Sequence, residues 1–239
     1  MNRDRLEEVL ADDERLDDLL LGDYKILQSK NYYNFTSDSV RLANFASVKN
    51  SDRVLELCAG SGIVSLHKFA DNAVTRGDTG RGQWVCVELQ TPLYNLLEEN
   101  IYINELDDNF TAINDDLKNA FDYVQKASFD VVLCNPPYEK ADSGFKKMSE
   151  SDMIARAEVA TTFDDIARVA GGALRFGGAF YFLAKSERLF EIAITLNKYN
   201  LRIKAVQFIT KNGRFRLALV KAVAGAKHGV DFSVIEKES

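Results

Sequence analysis

Residues 53–62 read RVLELCAGSG, an apolar run of strand length that stops at a glycine turn. A short, nearly continuous apolar run bounded by turn residues suits a strand covered on both faces, as in a parallel sheet. The next segment, IVSLHKFA, reads as a helix. Strand, glycine turn and helix together open a βαβ unit.

The alternation continues down the chain. WVCVEL (84–89) reads as a second strand. Thr91 is placed to cap the following helix, with Pro92 in its first turn, where a missing N–H costs nothing. Leu93, Leu96, Leu97, Ile101 and, more loosely, Leu106 fall on one side of that helix. Phe110 to Ile113 form a third strand and FDVVLC (129–134) a fourth. A helix is predicted over about 151–174, closed by a turn at Gly177-Gly178, then a fifth strand at AFYFLA (179–184). ERLFEIAITLNKY follows as a helix, and LRIKAVQFIT and FRLALVKAV as strands six and seven. Asn212-Gly213 between these two is a hairpin signal, so the last strand should run antiparallel. The expected fold is α/β and Rossmann-like: a seven-stranded, mostly parallel sheet with an antiparallel last strand and helices on both faces. That hairpin separates the chain from dinucleotide-binding dehydrogenases, whose sheet is usually all parallel. The stretch DNAVTRGDTGRG (71–82) is predicted to be an exposed, mobile loop.

At 239 residues the chain can bury one large core. The composition, 46% apolar and 28% charged, is ordinary for a soluble α/β domain. No apolar run approaches the roughly 20 residues needed to cross a bilayer, and the polar, acidic start is no secretory signal, so a cytoplasmic protein without a membrane partner is expected. Cys58, Cys86 and Cys134 are odd in number, far apart and set in apolar runs, which argues for small buried thiols over a disulfide framework. With only His67 and His228 to complete a ligand set, no metal is expected. A monomer is the favoured assembly.

The net charge of −6 is unevenly spread. Residues 1–139 carry a net −12 and residues 140–239 a net +6. Between 185 and 227, ten basic residues face only Glu187 and Glu191. A patch of that kind either attracts a polyanion or is a solvated basic face.

The residue types that carry chemistry stand at strand ends, where open α/β sheets bind ligands. In Glu56-Leu57-Cys58-Ala59-Gly60-Ser61-Gly62 the glycines let a ligand approach the backbone and the following helix N-terminus. A dehydrogenase fingerprint would have glycine or alanine at position 65, where this chain has Ser65. Glu88 ends the second strand; a carboxylate there accepts from both hydroxyls of a nucleoside ribose and disfavours a phosphorylated one. Asp115 or Asp116, ending the third, could accept from an adenine amino group or cap the next helix.

The fourth strand ends in Asn135-Pro136-Pro137-Tyr138. An amide or aromatic amine has a delocalised lone pair and is a poor nucleophile. Two acceptors, the Asn135 side-chain oxygen and the Pro136 carbonyl, can take its two N–H bonds and turn the lone pair toward an electrophile. The prolines stiffen the loop, and Tyr138 offers a flat stacking face. No histidine base is required. Read structurally, Asn-Pro-Pro is simply a turn.

These residues, in this order, resemble the class I S-adenosylmethionine-dependent methyltransferases of the Asn-Pro-Pro-Tyr group. More narrowly, the chain is similar to bacterial tRNA1(Val) (adenine-N6)-methyltransferases. ERLDDLLLGDYKILQSKNYYNFTSDSVRLANFA (14–46), ELCAGSGIVSL, VELQ, DDLKNAFD, FDVVLCNPPYEK and AEVATTFDDIARVAGGALRFGGAFYFLAKSERLFEI carry the likeness. It implies S-adenosyl-L-methionine as cofactor, S-adenosyl-L-homocysteine as product and tRNA as partner. It further implies Gly60 and Gly62 at the cofactor's methionine part with Glu56 beside them, Glu88 on the ribose and Asp116 near the adenine. Residues 1–50 become a leader over the cofactor site, with Phe35, Thr36 and Asp38 closing on it, and 51–239 the catalytic domain. Asn135, Pro136, Pro137 and Tyr138 would hold the target amino group, with Asn135 also beside the cofactor.

Three functions compete. Methylation of an adenine N6 in a tRNA anticodon loop (position 37) suits a base already unstacked. Methylation of a protein glutamine amide, as in release-factor modification, uses the same four residues, but such relatives usually carry a larger helical N-terminal domain than the roughly 50 residues here. A non-enzymatic cofactor-binding scaffold would have no use for Asn135-Pro136-Pro137-Tyr138 and Glu88.

Overall fold

The computed structural model describes residues 13–32, 37–77, 82–136, 161–227 and 229–236. Strands β3 (Val54–Leu57), β4 (Trp84–Glu88), β5 (Phe110–Asn114), β6 (Phe129–Cys134) and β7 (Leu174–Lys185) are parallel. They join β8 (Leu201–Lys211), β9 (Arg214–Ala224) and β10 (Asp231–Glu236) in one eight-stranded sheet, ordered β10-β8-β9-β7-β6-β3-β4-β5. β9 inserts between β7 and β8 and is antiparallel to both. The seven strands read from the sequence are present, with the antiparallel strand where the Asn-Gly signal puts it. Asn212 and Gly213 have φ of 53° and 69°, as a tight hairpin demands. The eighth strand, β10, pairs parallel to β8 and was not read.

Helices α1 (Ser37–Phe45), α2 (Ile63–Arg76) and α3 (Thr91–Ile103) cover one face of the sheet, and α4 (Phe163–Ala173) and α5 (Leu189–Lys198) the other. Each face has its own core. Leu42, Leu66, Phe69, Trp84, Leu97 and Phe110 fill the first, where Trp84 stacks on Phe110 at 5.5 Å. Phe129, Phe180 and Phe182 dominate the second. Before α1, a two-stranded antiparallel hairpin, β1 (Glu14–Asp18) and β2 (Lys25–Ser29), lies against α3 through Leu27, Leu93 and Leu96.

Four local expectations need correction. α2 runs on to Arg76 and stops at Gly77, a left-handed cap whose N–H donates to the Ala73 carbonyl, so the first six residues of the expected 71–82 loop are helix. Thr91 does not cap α3; Gln90 holds that position, and the Thr91 hydroxyl donates instead to Asn114 Oδ1 at 2.9 Å. α4 is shorter than the helix predicted over 151–174, starting at a capping box in which Thr162 and Asp165 satisfy each other's backbone N–H groups. β7 then follows directly, and Gly177-Gly178 lies inside it, not in a turn: the pairing of β6 with β7 shifts between Phe129 and Val131, and Gly177 at φ 80° absorbs the irregularity. Residues 151–160 lie outside the described residues.

From β3 the chain moves outward to β4 and β5, then returns to lay β6 on the other side of β3. The adjacent helices therefore part at the carboxyl ends of β3 and β6. Such a switch point is where an open α/β sheet has room for a ligand.

Candidate active site

The turn after β3 is built from left-handed residues: Cys58 at φ 56°, Gly60 at 57° and Gly62 at 84°. Cys58 adopts a conformation that costs an L side chain about 1 kcal/mol or more, and its neighbours hold it there. Ala59 N–H donates to Val87 O at 3.1 Å, and Gly62 N–H to Ala59 O at 2.9 Å. The two glycines differ in surroundings. A Cβ on Gly62 would lie 2.5 Å from Leu97 Cδ1, so the helix crossing of α2 and α3 requires that glycine. A Cβ on Gly60 would meet nothing within 4 Å. The space beside Gly60 is open.

Glu88, buried at the end of β4, reaches across to this turn. Its Oε2 accepts from Gly60 N–H at 2.8 Å and its Oε1 from Gln90 N–H at 2.9 Å. Two backbone donors fix the carboxylate's orientation beside the open space at Gly60. Asn114, at the end of β5, braces the same corner by donating to the carbonyls of Glu88 and Leu89.

Glu56 sits below the turn, 1% exposed, its Oε2 accepting from Ser65 N–H at 3.1 Å in the first turn of α2. Burial pushes its carboxyl up to about 8, offset only partly by the nearby Ser65. Glu56 Oε1 and Ser65 Oγ have no hydrogen-bond partner of good geometry. A proton on Glu56 would supply the missing donor.

At the end of β6, Asn135 is half-buried and its Nδ2 donates to the Ser39 hydroxyl at 2.9 Å. Ser39 is buried in the first turn of α1, next to Asp38. This contact spans 96 residues and turns the carboxamide oxygen away from Ser39. Pro136 follows, half-buried. Pro137 and Tyr138, and Phe35 and Thr36 of the leader, lie outside the described residues.

Asp116 caps the 3-10 helix Leu117–Asp122 by accepting from Lys118 N–H and also pairs with Lys118 Nζ, both at 2.9 Å. Asp115 accepts from Asp116 N–H, Asn119 and Tyr123; these donors, Tyr123 first, hold its carboxyl below the usual range. Capping, one of the two readings of this acidic pair, is what the carboxylates do here.

Asn135, the glycine turn, Glu88 and Asp116 therefore follow one another along the carboxyl edge in the order β6, β3, β4, β5. At about 4.8 Å per strand the row is roughly 15 Å long. An extended ligand can meet a carboxamide at one end, open backbone in the middle and carboxylates beyond. Among the described residues no cluster of His, Cys, Asp and Glu could hold a metal ion, and no helix is long and apolar enough to cross a membrane.

Asn100 was not anticipated. Wholly buried on α3, it donates to Ser61 O at 3.0 Å and Leu27 O at 3.1 Å and accepts from Leu27 N–H. One side chain thus ties the glycine turn to the N-terminal hairpin. Asn104, one turn on, does the same for Lys25 N–H and O. The signal was available: Asn100 and Asn104 interrupt the apolar stripe of α3 at i, i+4 spacing, and a polar residue on a buried stripe must find partners.

Residues 26–165, more than half of the chain, match the family model described as conserved hypothetical protein 95. The chain is 25% identical over 162 residues to a release factor glutamine methyltransferase of Clostridium botulinum, covering 64% of this chain and 54% of that protein. It is 23% identical over 184 residues to a tRNA1(Val) (adenine(37)-N6)-methyltransferase of Shewanella sediminis, covering 75% and 70%. The chain thus spans about half the length of the first relative and about two thirds of the second. Among solved structures, TYW2 of P. horikoshii in complex with MeSAdo superposes with a TM-score of 0.61 at 16% identity, over 90% of this chain and 73% of that one. That likeness is one of fold, a Rossmann-like α/β arrangement.

Proposed function

The chain belongs to the conserved hypothetical protein 95 family, and from that premise we propose that it is an S-adenosyl-L-methionine-dependent N-methyltransferase acting on N6 of an unstacked adenine in RNA. The setting we expect is position 37 in the anticodon loop of a valine-type tRNA. One observation carries the reading: Asn135 is held by Ser39 at the end of β6, beside an open glycine turn and a fixed carboxylate.

The residues present fit the cofactor. The open space before Gly60 accommodates a ligand against the backbone, and Glu88 suits a pair of ribose hydroxyls because an ionised carboxylate is acceptor-only. Gly62 and Asp116 complete the row, Glu56 supports the glycine turn from below through Ser65 N–H, and residues 1–50, with Phe35, Thr36 and Asp38, serve as the leader over it. When bound, S-adenosyl-L-methionine supplies a methyl group on a positively charged sulfur and leaves as S-adenosyl-L-homocysteine.

The rest of the work falls to the protein. Asn135 Oδ1 and the Pro136 carbonyl accept the two N–H bonds of the substrate amino group. That draws the nitrogen lone pair out of conjugation and fixes its direction. Ser39 acts as a positioning residue, holding the other end of the Asn135 carboxamide so that its oxygen faces the substrate. Pro137 stiffens the loop and Tyr138 stacks on the base. A glutamine side-chain amide offers the same NH2, and the likeness to a release factor glutamine methyltransferase keeps that substrate as the second reading.

Incubation with radiolabelled cofactor and total tRNA, beside total protein, separates the two. Label is expected in the tRNA, on N6-methyladenosine after nucleoside analysis; label in protein would favour the second reading. Asn135→Ala should reduce transfer by about a hundredfold or more while cofactor affinity stays within a few-fold. Near-wild-type turnover of that variant would sink the mechanism.

A further inference from the structure

The outer flank of the sheet carries aromatic side chains that its core does not use. Phe215 is 56% exposed and Phe232 66% exposed, and they are not scattered. Both lie against the half-buried Phe208, with ring centroids 4.7 Å and 6.3 Å away, the second ring within 5° of parallel. Phe208 packs on the core beneath α4 and α5, so the three rings form a strip on that face. Phe215 reaches it through a bulge. The β8–β9 register shifts between Ile209 and Thr210, which pair with Leu217 and Phe215, leaving Arg216 as an extra residue. Simple alternation would aim Phe215 to the same side as Leu217; the bulge turns it toward Phe208.

The hairpin that carries Phe208 and Phe215 ends in basic residues. Lys211 and Arg214, both exposed, stand directly opposite each other as the last pair of β8 and β9, on the face away from Phe208 by strand alternation but at the tip of the same hairpin. Like charges in that position weaken a hairpin. Among the described residues no ion pair engages Lys211, Arg214 or Arg216. β8 runs parallel to β6, so this hairpin rises at the same carboxyl edge as Asn135, three strands or about 15 Å away.

Exposed rings on one face of a sheet flank, with unpaired cations at the tip of its hairpin, complement the two parts of a single nucleic-acid strand, base faces and phosphates. We infer that Phe208, Phe215 and Phe232, with Lys211, Arg214 and Arg216, form a stacking platform for a single-stranded stretch of RNA flanking the base delivered to Asn135. The inference rests on the proposed activity and deepens it: the substrate must be unpaired beside its target as well as at it. A duplex offers this platform phosphates but no base faces.

The test is fluorescence anisotropy with a labelled oligouridine of roughly twelve nucleotides and with its duplex on oligoadenosine. The free probe contains no adenine, so its binding does not depend on the proposed methylation. Combined Phe215→Ala and Phe232→Ala should weaken oligouridine binding about tenfold or more, with duplex binding and the melting curve unchanged, and Phe215→Trp should bind as well as the parent. Unchanged oligouridine affinity, or an equal loss for the duplex, overturns the platform. So does a shift in sedimentation from an oligomer to a monomer at unchanged RNA affinity, which would make the strip a contact between copies of the chain. Binding of the predicted pattern by a protein that labels no RNA leaves the platform standing and removes the activity; labelled tRNA with fully binding alanine variants does the reverse.

Discussion

Glu56 holds a carboxyl group that water does not reach, with one backbone donor on one of its two oxygens. Its ordinary value is 4.5 and burial lifts it to about 8. The folded chain thus keeps a proton that the unfolded chain releases above about 4.5. Stability from this group is complete below that pH and is lost as pH rises toward 8, at a slope of up to about 1.4 kcal/mol per unit. Glu56→Gln preserves the acceptor for Ser65 N–H and removes the titration. In urea unfolding between pH 5 and 8, the gap between variant and parent should widen steadily in the variant's favour; a constant gap would mean that the folded protein holds Glu56 ionised. At this scale the sequence was legible wherever a residue type is unusual for its place, as with Glu88 at a strand end or Asn135 before two prolines. It was silent on Ser39 and Asn100, whose partners lie 96 and 73 residues away in the chain.

Among elements, the strand–turn–helix unit of β3 and α2 shows why two glycines two residues apart are different positions. Both have positive φ, which costs an alanine about 1 kcal/mol. Only Gly62 is pressed against α3, where the added methyl must also displace Leu97. Gly62→Ala should lower unfolding free energy by roughly 3 kcal/mol, strain and overpacking together. Gly60→Ala should lose about 1 kcal/mol and yet bind S-adenosyl-L-methionine more weakly by about tenfold or more, because its methyl projects into the open space the proposed cofactor would take. Urea midpoints and titration calorimetry read the two effects separately; equal stability losses with equal affinities would contradict the placing of the cofactor against Gly60. Periodicity made most elements legible here. It failed where one signal has two meanings, since a glycine pair marks a bulge inside β7 as readily as a turn. It also failed for β1, whose acidic ERLDD has no strand pattern of its own and depends on pairing with β2, which Asn100 and Asn104 hold by its backbone.

Across the whole molecule, charge and architecture divide the same way. The net −12 of residues 1–139 accompanies the strands β3 to β6 and the row of candidate cofactor contacts, while the net +6 of residues 140–239 includes the β8–β9 flank. A polyanion is therefore repelled from one side of the carboxyl edge and drawn to the other, which orients it before contact is made. The sequence showed this imbalance but not its direction in space; the strand order supplies that. Each phosphate contact on a single strand contributes about 0.7 to the slope of log affinity against log salt. Neutralising Lys211, Arg214 and Arg216 together should flatten that slope for oligouridine by about 2, whereas the alanine variants of Phe215 and Phe232 should lower affinity at every salt concentration and leave the slope alone. The two sets of variants thus separate charge from stacking on one flank of the sheet. A slope unchanged by loss of all three cations would move the RNA-binding face away from this hairpin, and with it the route by which a strand reaches Asn135.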